Sequence, residues 1–300
     1  MLHPKRGVLS EDIMRRSEPF LKTTKHSPDL REWVPSDFCN FLKEVEHLSK
    51  QCDGDDPVVL FRGHADSDWL LDCTLVRSLL KKDNVPTDEY PRSLRFHTQV
   101  VDALLTKFGR FWQPSQESVT KGCSHGIDPW YELMKRFQQY GEEDSFTPKG
   151  TFLIDWTLDR DIALYFATYV GKGISRRPRW AAGAVWVCDP LATGKVLQTR
   201  TLADLLGMMR ADEFRLKAER TLPLIVHPPK QTRMLRASHQ RPVYLSQMDF
   251  RYDLADAWCS VERTSDSAVF RKIILKESLL QESIAHLEKN GITEGHVYPE

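Results

Sequence analysis

The sequence predicts an α+β protein built around a mixed sheet, and three observations carry that prediction. Short, fully apolar runs bounded by turn residues recur along the chain, as buried strands do. In the first half these runs are separated by stretches with apolar residues at helical spacing, whereas in the second half they bunch together. A chain of 300 residues, 41% of them hydrophobic, also has enough apolar material for a proper core, in one large domain or two small ones.

Residues 1–34 are polar and basic with weak periodicity, and read as an arm for binding a partner; a single domain is expected over 35–300. Ser36 is expected to cap a helix with Phe38, Phe41, Leu42, Val45 and Leu48 on one face. After the turn-like Asp53-Gly54-Asp55-Asp56-Pro57, Val58-Val59-Leu60-Phe61 predicts a short buried strand ending in Arg62-Gly63-His64. A long amphipathic helix is predicted over 91–112, with Leu94, Val101, Leu104, Leu105, Phe108 and Phe111 inward, and another near 129–140. A polar loop over 141–150 leads to a second strand, Thr151-Phe152-Leu153-Ile154, which runs into Asp155-Trp156-Thr157. Leu158-Asp159-Arg160-Asp161 opens a helix faced by Ile162, Ala163, Phe166, Ala167 and Val170. Strands are expected at 183–188, 222–227, 242–246 and 269–275, and a closing helix over 277–290 stops at Gly291. There are no internal repeats and no low-complexity tracts.

Lys+Arg and Asp+Glu are both 42, so net charge gives no global pull toward nucleic acid or an anionic membrane. Any polyanion site must be a local patch. The six cysteines are scattered with no metal-binding spacing, which points to reduced thiols and no metal centre. Met1-Leu2-His3-Pro4-Lys5-Arg6 is not followed by the apolar core of a signal peptide, and no window reaches the roughly 18 apolar residues of a membrane span. A soluble cytoplasmic protein without membrane partners is expected.

Three places carry polar groups against apolar strands, the usual address of a site on a sheet. Arg62 is read at the tip of its strand, where a guanidinium suits phosphate or carboxylate, and Gly63 behind it permits a turn or a close ligand. Asp155-Trp156-Thr157 ends the second strand. The basic run from Arg233 through Arg236 to Arg241 precedes Val243-Tyr244-Leu245. Each has a structural alternative: Arg62 paired with Asp155, Trp156 as core, and the basic run as a solvated loop.

Order and spacing resemble the FRG-domain family, named for its Phe-Arg-Gly motif. Phe61-Arg62-Gly63, Asp68-Trp69 and Arg77 are similar to its opening segment. Gln138-Gln139-Tyr140-Gly141, Leu153-Ile154-Asp155-Trp156-Thr157 and Ala163-Leu164-Tyr165-Phe166-Ala167 resemble its middle. Gly183-Ala184-Val185-Trp186-Val187, Arg236 with Gln240, Gly291-Ile292-Thr293 and Tyr298-Pro299 resemble its later parts. The chain departs from the pattern twice. The stretch between Gly141 and Phe152 is longer and more acidic than usual, and Arg241-Pro242 stands where the family has glycine after Gln240.

This order is in turn similar to ADP-ribosyltransferases of the arginine-serine-glutamate class, which implies a mixed, mostly antiparallel sheet and NAD as substrate. On that resemblance Arg62 grips the NAD diphosphate, Asp155 and Thr157 fix the ribose, and Gln240 takes the third catalytic place, with Glu262 a weaker candidate. Phe61, Gly63, His64, Trp156 and Tyr165 would complete the cofactor site. A neutral glutamine stabilises an oxocarbenium-like cation poorly, so Asp155 is the better carboxylate. The resemblance implies a bacterial toxin of a toxin–antitoxin or anti-phage system, with RNA, DNA or protein as acceptor and an antitoxin or chaperone as partner. Two basic loops, Arg176, Arg177 and Arg179 beside Trp180, and Arg233, Arg236 and Arg241, are the candidate nucleic-acid contacts. The alternatives are a non-catalytic nucleotide- or partner-binding module, and a hydrolase using Asp155 and His64. The last lacks the clustered carboxylates of two-metal chemistry.

Overall fold

Alternating burial along the apolar runs builds one sheet with a core on each face. The computed structural model describes residues 32–50, 59–83, 92–112, 149–170, 177–178, 181–189, 202–211, 214, 225–226, 239–257 and 270–299. Its strands are β1 (Glu32–Trp33), β2 (Leu60–His64), β3 (Leu153–Thr157), β4 (Tyr169–Val170), β5 (Arg177–Pro178), β6 (Gly183–Cys188), β7 (Ile225–Val226), β8 (Pro242–Ser246) and β9 (Phe270–Leu275). Seven of them form a sheet in the order β1-β9-β6-β2-β3-β8-β7, and β4 pairs with β5 separately. Within the seven, only the β1–β9 pair is parallel. The sheet is therefore mixed and mostly antiparallel.

The helices are α1 (Phe38–Lys50), α2 (Thr74–Lys82), α3 (Leu94–Trp112), α4 (Arg160–Thr168), α5 (Leu202–Arg210), α6 (Leu280–Lys289) and the single turn α7 (Glu294–Val297). The pleat sends Leu60 to one core and Phe61 to the other. Leu60, Trp156, Trp186 and Phe270 pack with buried residues of α2, α3 and α5. Phe61, Val185, Val187 and Ile273 pack with α1, α4, α6 and α7. Asp159 caps α4 by accepting from the amides of Asp161 and Ile162.

Several expectations change. Glu32 and Trp33, read as part of the arm, form an edge strand because they pair with Lys272 and Ile273 of β9. Helix α2 escapes the sequence reading, although Leu75, Val76, Leu79 and Leu80 are buried at helical spacing. Arg62 is not at a strand tip but in the middle of β2, whose ladder with β6 runs from Leu60↔Cys188 to His64↔Ala184. The helix expected near 129–140 lies outside the described residues.

Gly63 explains why β2 continues through the motif. A Cβ at this position would lie 1.9 Å from the Ala163 carbonyl oxygen and 2.6 Å from the Ala167 amide nitrogen. The glycine admits the backbone of α4, not a turn or a ligand, and the helix lies directly on β2.

A buried polar network anchors the chain that leaves β2. Arg92 forms a bidentate pair with Asp72, and Gln247 Nε2 donates to both Asp72 and the Tyr252 carbonyl at 2.8 Å. Gln247 Oε1 accepts from the Cys73 amide at 2.7 Å, and Asp253 accepts from the Leu71 amide at 3.0 Å. Residues 71–73 are thereby tied to the segment that follows β8.

Gly63→Ala should destabilise the protein by about 3 kcal/mol or more, since backbone meets the new methyl and cannot swing aside. Thermal or urea unfolding checks this, and unchanged stability would contradict the close approach of α4.

Candidate functional site

The site forms where the two central strands part. Toward β6, β2 is paired along its whole length, but toward β3 it pairs at Phe61↔Thr157 alone. Beyond that point the Arg62 guanidinium spans the parting, donating from Nη1 to the Asp155 carbonyl oxygen. Its Nε donates to His64 Nε2 at 3.0 Å. Arg62 is half-buried. Burial pulls its guanidinium down to about 10, with Asp155 favouring the charge and Arg77 opposing it, so it stays charged at neutral pH.

His64 sits behind the arginine, 2% exposed. Burial above all, then the Arg62 and Arg77 charges, hold it well below the ordinary histidine range, so the ring is neutral. Because Nε2 accepts from Arg62, Nδ1 must carry the ring proton. That Nδ1–H is buried and interacts with the Trp69 backbone.

Register extends the site sideways. Arg62 lies opposite Trp186, Trp186 opposite Lys272, and Lys272 opposite Glu32, a row across four strands on one face. Lys272 Nζ is 5.8 Å from the centre of the Trp186 ring and 3.4 Å from a Glu32 carboxylate oxygen. Trp156 lies across the parting on the same face, and its Nε1–H and that of Trp186 are buried without an acceptor. A donor left unpaired in this way costs about 1–3 kcal/mol. Trp69, 46% exposed on the loop after β2, closes the row with its ring centroid 5.9 Å from that of His64.

The structure brings Arg62 and Asp155 together, as the sequence suggested, and separates them from the other expected partners. Thr157 shares the face of Phe61, not that of Arg62, and its hydroxyl donates to the Gln240 carbonyl at 2.6 Å while accepting from the Asp159 amide at 3.0 Å. Gln240 donates from Nε2 to the Val297 carbonyl at 2.8 Å. Both residues therefore join β3, α4 and α7 and do not complete a cleft with Arg62. Phe61 and Trp156 are core residues, and Tyr165, 1% exposed, packs against Phe166 and Tyr169 within α4's core. None of the three presents a ring to a ligand. Asp155 is exposed.

Of the basic candidates, Arg176, Arg179, Arg233 and Arg236 lie outside the described residues, as does Glu262; Arg177 is placed by its backbone in β5. Arg241 has a φ of 44, the left-handed region that glycine enters freely. Its carbonyl accepts from the Leu158 amide at 3.2 Å, which fastens the β3–α4 turn. The glycine of the family pattern at this point is thus a backbone requirement that Arg241 meets under strain.

Sequence reasoning missed Trp69, Arg77, Trp186 and Lys272 as members of the site. Trp69 and Arg77 stood in the motif, but the place of Trp186 and Lys272 follows only from strand register.

The family model for the FRG domain matches residues 58–172, the stretch holding β2, Trp69, Arg77 and β3. Residues 58–172 are thus similar to the FRG domain. The sheet that carries the site also draws on β1, β6, β8 and β9, outside that match. No curated protein and no solved structure matches the chain. No described helix is long and apolar enough to cross a membrane.

Two outcomes follow from this geometry. The His64 ring should remain neutral from pH 8 to 5, so its carbon-bound proton resonances stay flat; a midpoint near 6.5 would contradict its burial. Arg241→Gly should stabilise the fold by about 0.5–1 kcal/mol, since relief of left-handed strain exceeds glycine's added chain entropy. In a melt that is a rise of about 1–3 °C, and a fall would contradict the assignment.

Proposed function

We propose that this protein is an NAD-dependent ADP-ribosyltransferase whose reaction centre is the parting between β2 and β3. The observation that carries the reading is the Arg62 guanidinium held in that parting beside the exposed Asp155. A guanidinium fixed through Nε and Nη1 and still charged suits a diphosphate, which it can meet through its remaining N–H groups. Asp155, exposed at the edge of the parting and close enough to act on the Arg62 charge, is then the carboxylate for the reacting ribose. The bond from ribose C1′ to the nicotinamide nitrogen breaks, its electron pair leaves with nicotinamide, and positive charge develops on the ribose. The Asp155 carboxylate stabilises that charge while the acceptor's nucleophilic atom bonds to C1′ and gives up its proton. Thr157 and Gln240, held in backbone bonds, have no part in this step.

A nucleotide-binding module without turnover is the second reading. It is favoured by the same engagement of Thr157 and Gln240, which leaves Asp155, bound to Arg62 through its backbone carbonyl, as the carboxylate whose charge acts on Arg62. A role as a cellular toxin or defence factor goes with the transferase reading.

The test is incubation with NAD labelled in its adenylate phosphate together with RNA, DNA and cell extract. Wild type should release nicotinamide and transfer label, and Arg62→Lys should lose roughly ten- to 150-fold in rate with little change in melting temperature. Asp155→Asn keeps the carbonyl that Arg62 uses but removes the charge, and should lose about 100-fold or more. Binding of NAD without nicotinamide release would establish the module instead.

A further inference from the structure

Three features beside Arg62 have no use in the reaction just described. Trp69 keeps nearly half of a large apolar ring in water, although such a ring normally gains by burial. The loop that carries it is not slack: the Ser67 amide donates to the Ala182 carbonyl at 2.7 Å, the Asp68 amide to Asp66 at 2.9 Å, and the Leu71 amide to buried Asp253 at 3.0 Å. The indole is thus presented by a tied loop. Next to it, buried His64 links the indole to Arg62, its ring centroid 5.9 Å from that of Trp69 and its Nε2 accepting from Arg62 Nε at 3.0 Å. Finally, Arg77, exposed on α2, places a second positive charge close enough to act on both Arg62 and His64, an arrangement that an anion between the guanidiniums would relieve.

We propose that Trp69 is the stacking platform for the adenine ring of an adenine nucleotide whose diphosphate lies on Arg62 and Arg77. This rests on the reading of Arg62 as a diphosphate site and assigns the far end of the same ligand. Asp155 and Trp69 bracket Arg62, one through β3 and the other through His64 and the loop that follows β2. That order, carboxylate, guanidinium, indole, matches the order of a reacting ribose, a diphosphate and an adenosine along a dinucleotide. Base stacking on an exposed indole tolerates little loss of ring area, and alanine substitution at such a platform typically costs about 5- to 150-fold in affinity.

Calorimetry of the full chain with ADP-ribose and with inorganic pyrophosphate separates the parts. Trp69→Ala should weaken ADP-ribose about tenfold or more while leaving pyrophosphate within about twofold, and Trp69→Phe should recover most of the loss. Arg62→Lys should weaken both probes together. An unchanged affinity of Trp69→Ala for ADP-ribose, an equal loss for pyrophosphate, or no binding of either probe would overturn the assignment. NAD cleavage is measured separately. A protein that binds ADP-ribose through Trp69 but releases no nicotinamide keeps the platform and loses the transferase reading.

Discussion

The centre of the sheet depends on the approach of α4 to Gly63. No side chain can stand between that glycine and the carbonyl of Ala163, so α4 lies against β2 as closely as two backbones can. Because α4 follows β3 after the Thr157–Asp159 turn, its seat on β2 also places the end of β3. The two strands meet at Phe61 and Thr157 and then part, and the Arg62 guanidinium occupies the place that further ladder bonds would fill. The arginine is therefore both a structural bridge and a half-buried cation. Few side chains have enough N–H groups to be both, and guanidinium is one.

The two faces of the sheet divide the work. Under α4, polar groups are satisfied locally: Thr157, Gln240 and Asp159 all serve turns and helix ends. On the opposite face, two buried N–H groups, from Trp156 and Trp186, have no acceptor. Each unpaired donor is unfavourable by about 1–3 kcal/mol, and both lie on the face that carries the Arg62, Trp186 and Lys272 row. What that face offers an oxygen-rich anion is its cations, half-buried Arg62 and, on α2, exposed Arg77.

Much of the fold was legible. The apolar runs at 151–157, 183–188, 242–246 and 269–275 are strands because apolar continuity and β-branched residues mark buried strands directly. Arg62 and Asp155 were also legible as neighbours, one of the simplest readings of a charge on each central strand. What the linear pattern lacked was the pleat. Asp155, Trp156 and Thr157 are adjacent in sequence, yet alternation puts Trp156 on the Arg62 face and Asp155 with Thr157 on the other, so Asp155 meets Arg62 through its backbone carbonyl at the parting. Tyr165 was drawn into the site by its motif, but helical spacing already placed it beside Ile162, on the face of α4 that is buried. Gly63 shows the same limit from the other side. Its need was visible, while the identity of what approaches it, a helix instead of a ligand, depends on tertiary packing. Trp186 and Lys272 could be found only once register had placed them beside Arg62.

The central claim is that the parting between β2 and β3 is a ligand site closed by Arg62. A crystal structure of the chain with ADP-ribose tests it most directly. The diphosphate should lie against the Arg62 guanidinium, on the face of Trp186 and Lys272, with α4 still seated on Gly63. Density for the ligand on the α4 face, against Thr157 and Gln240, with Arg62 untouched, would contradict it.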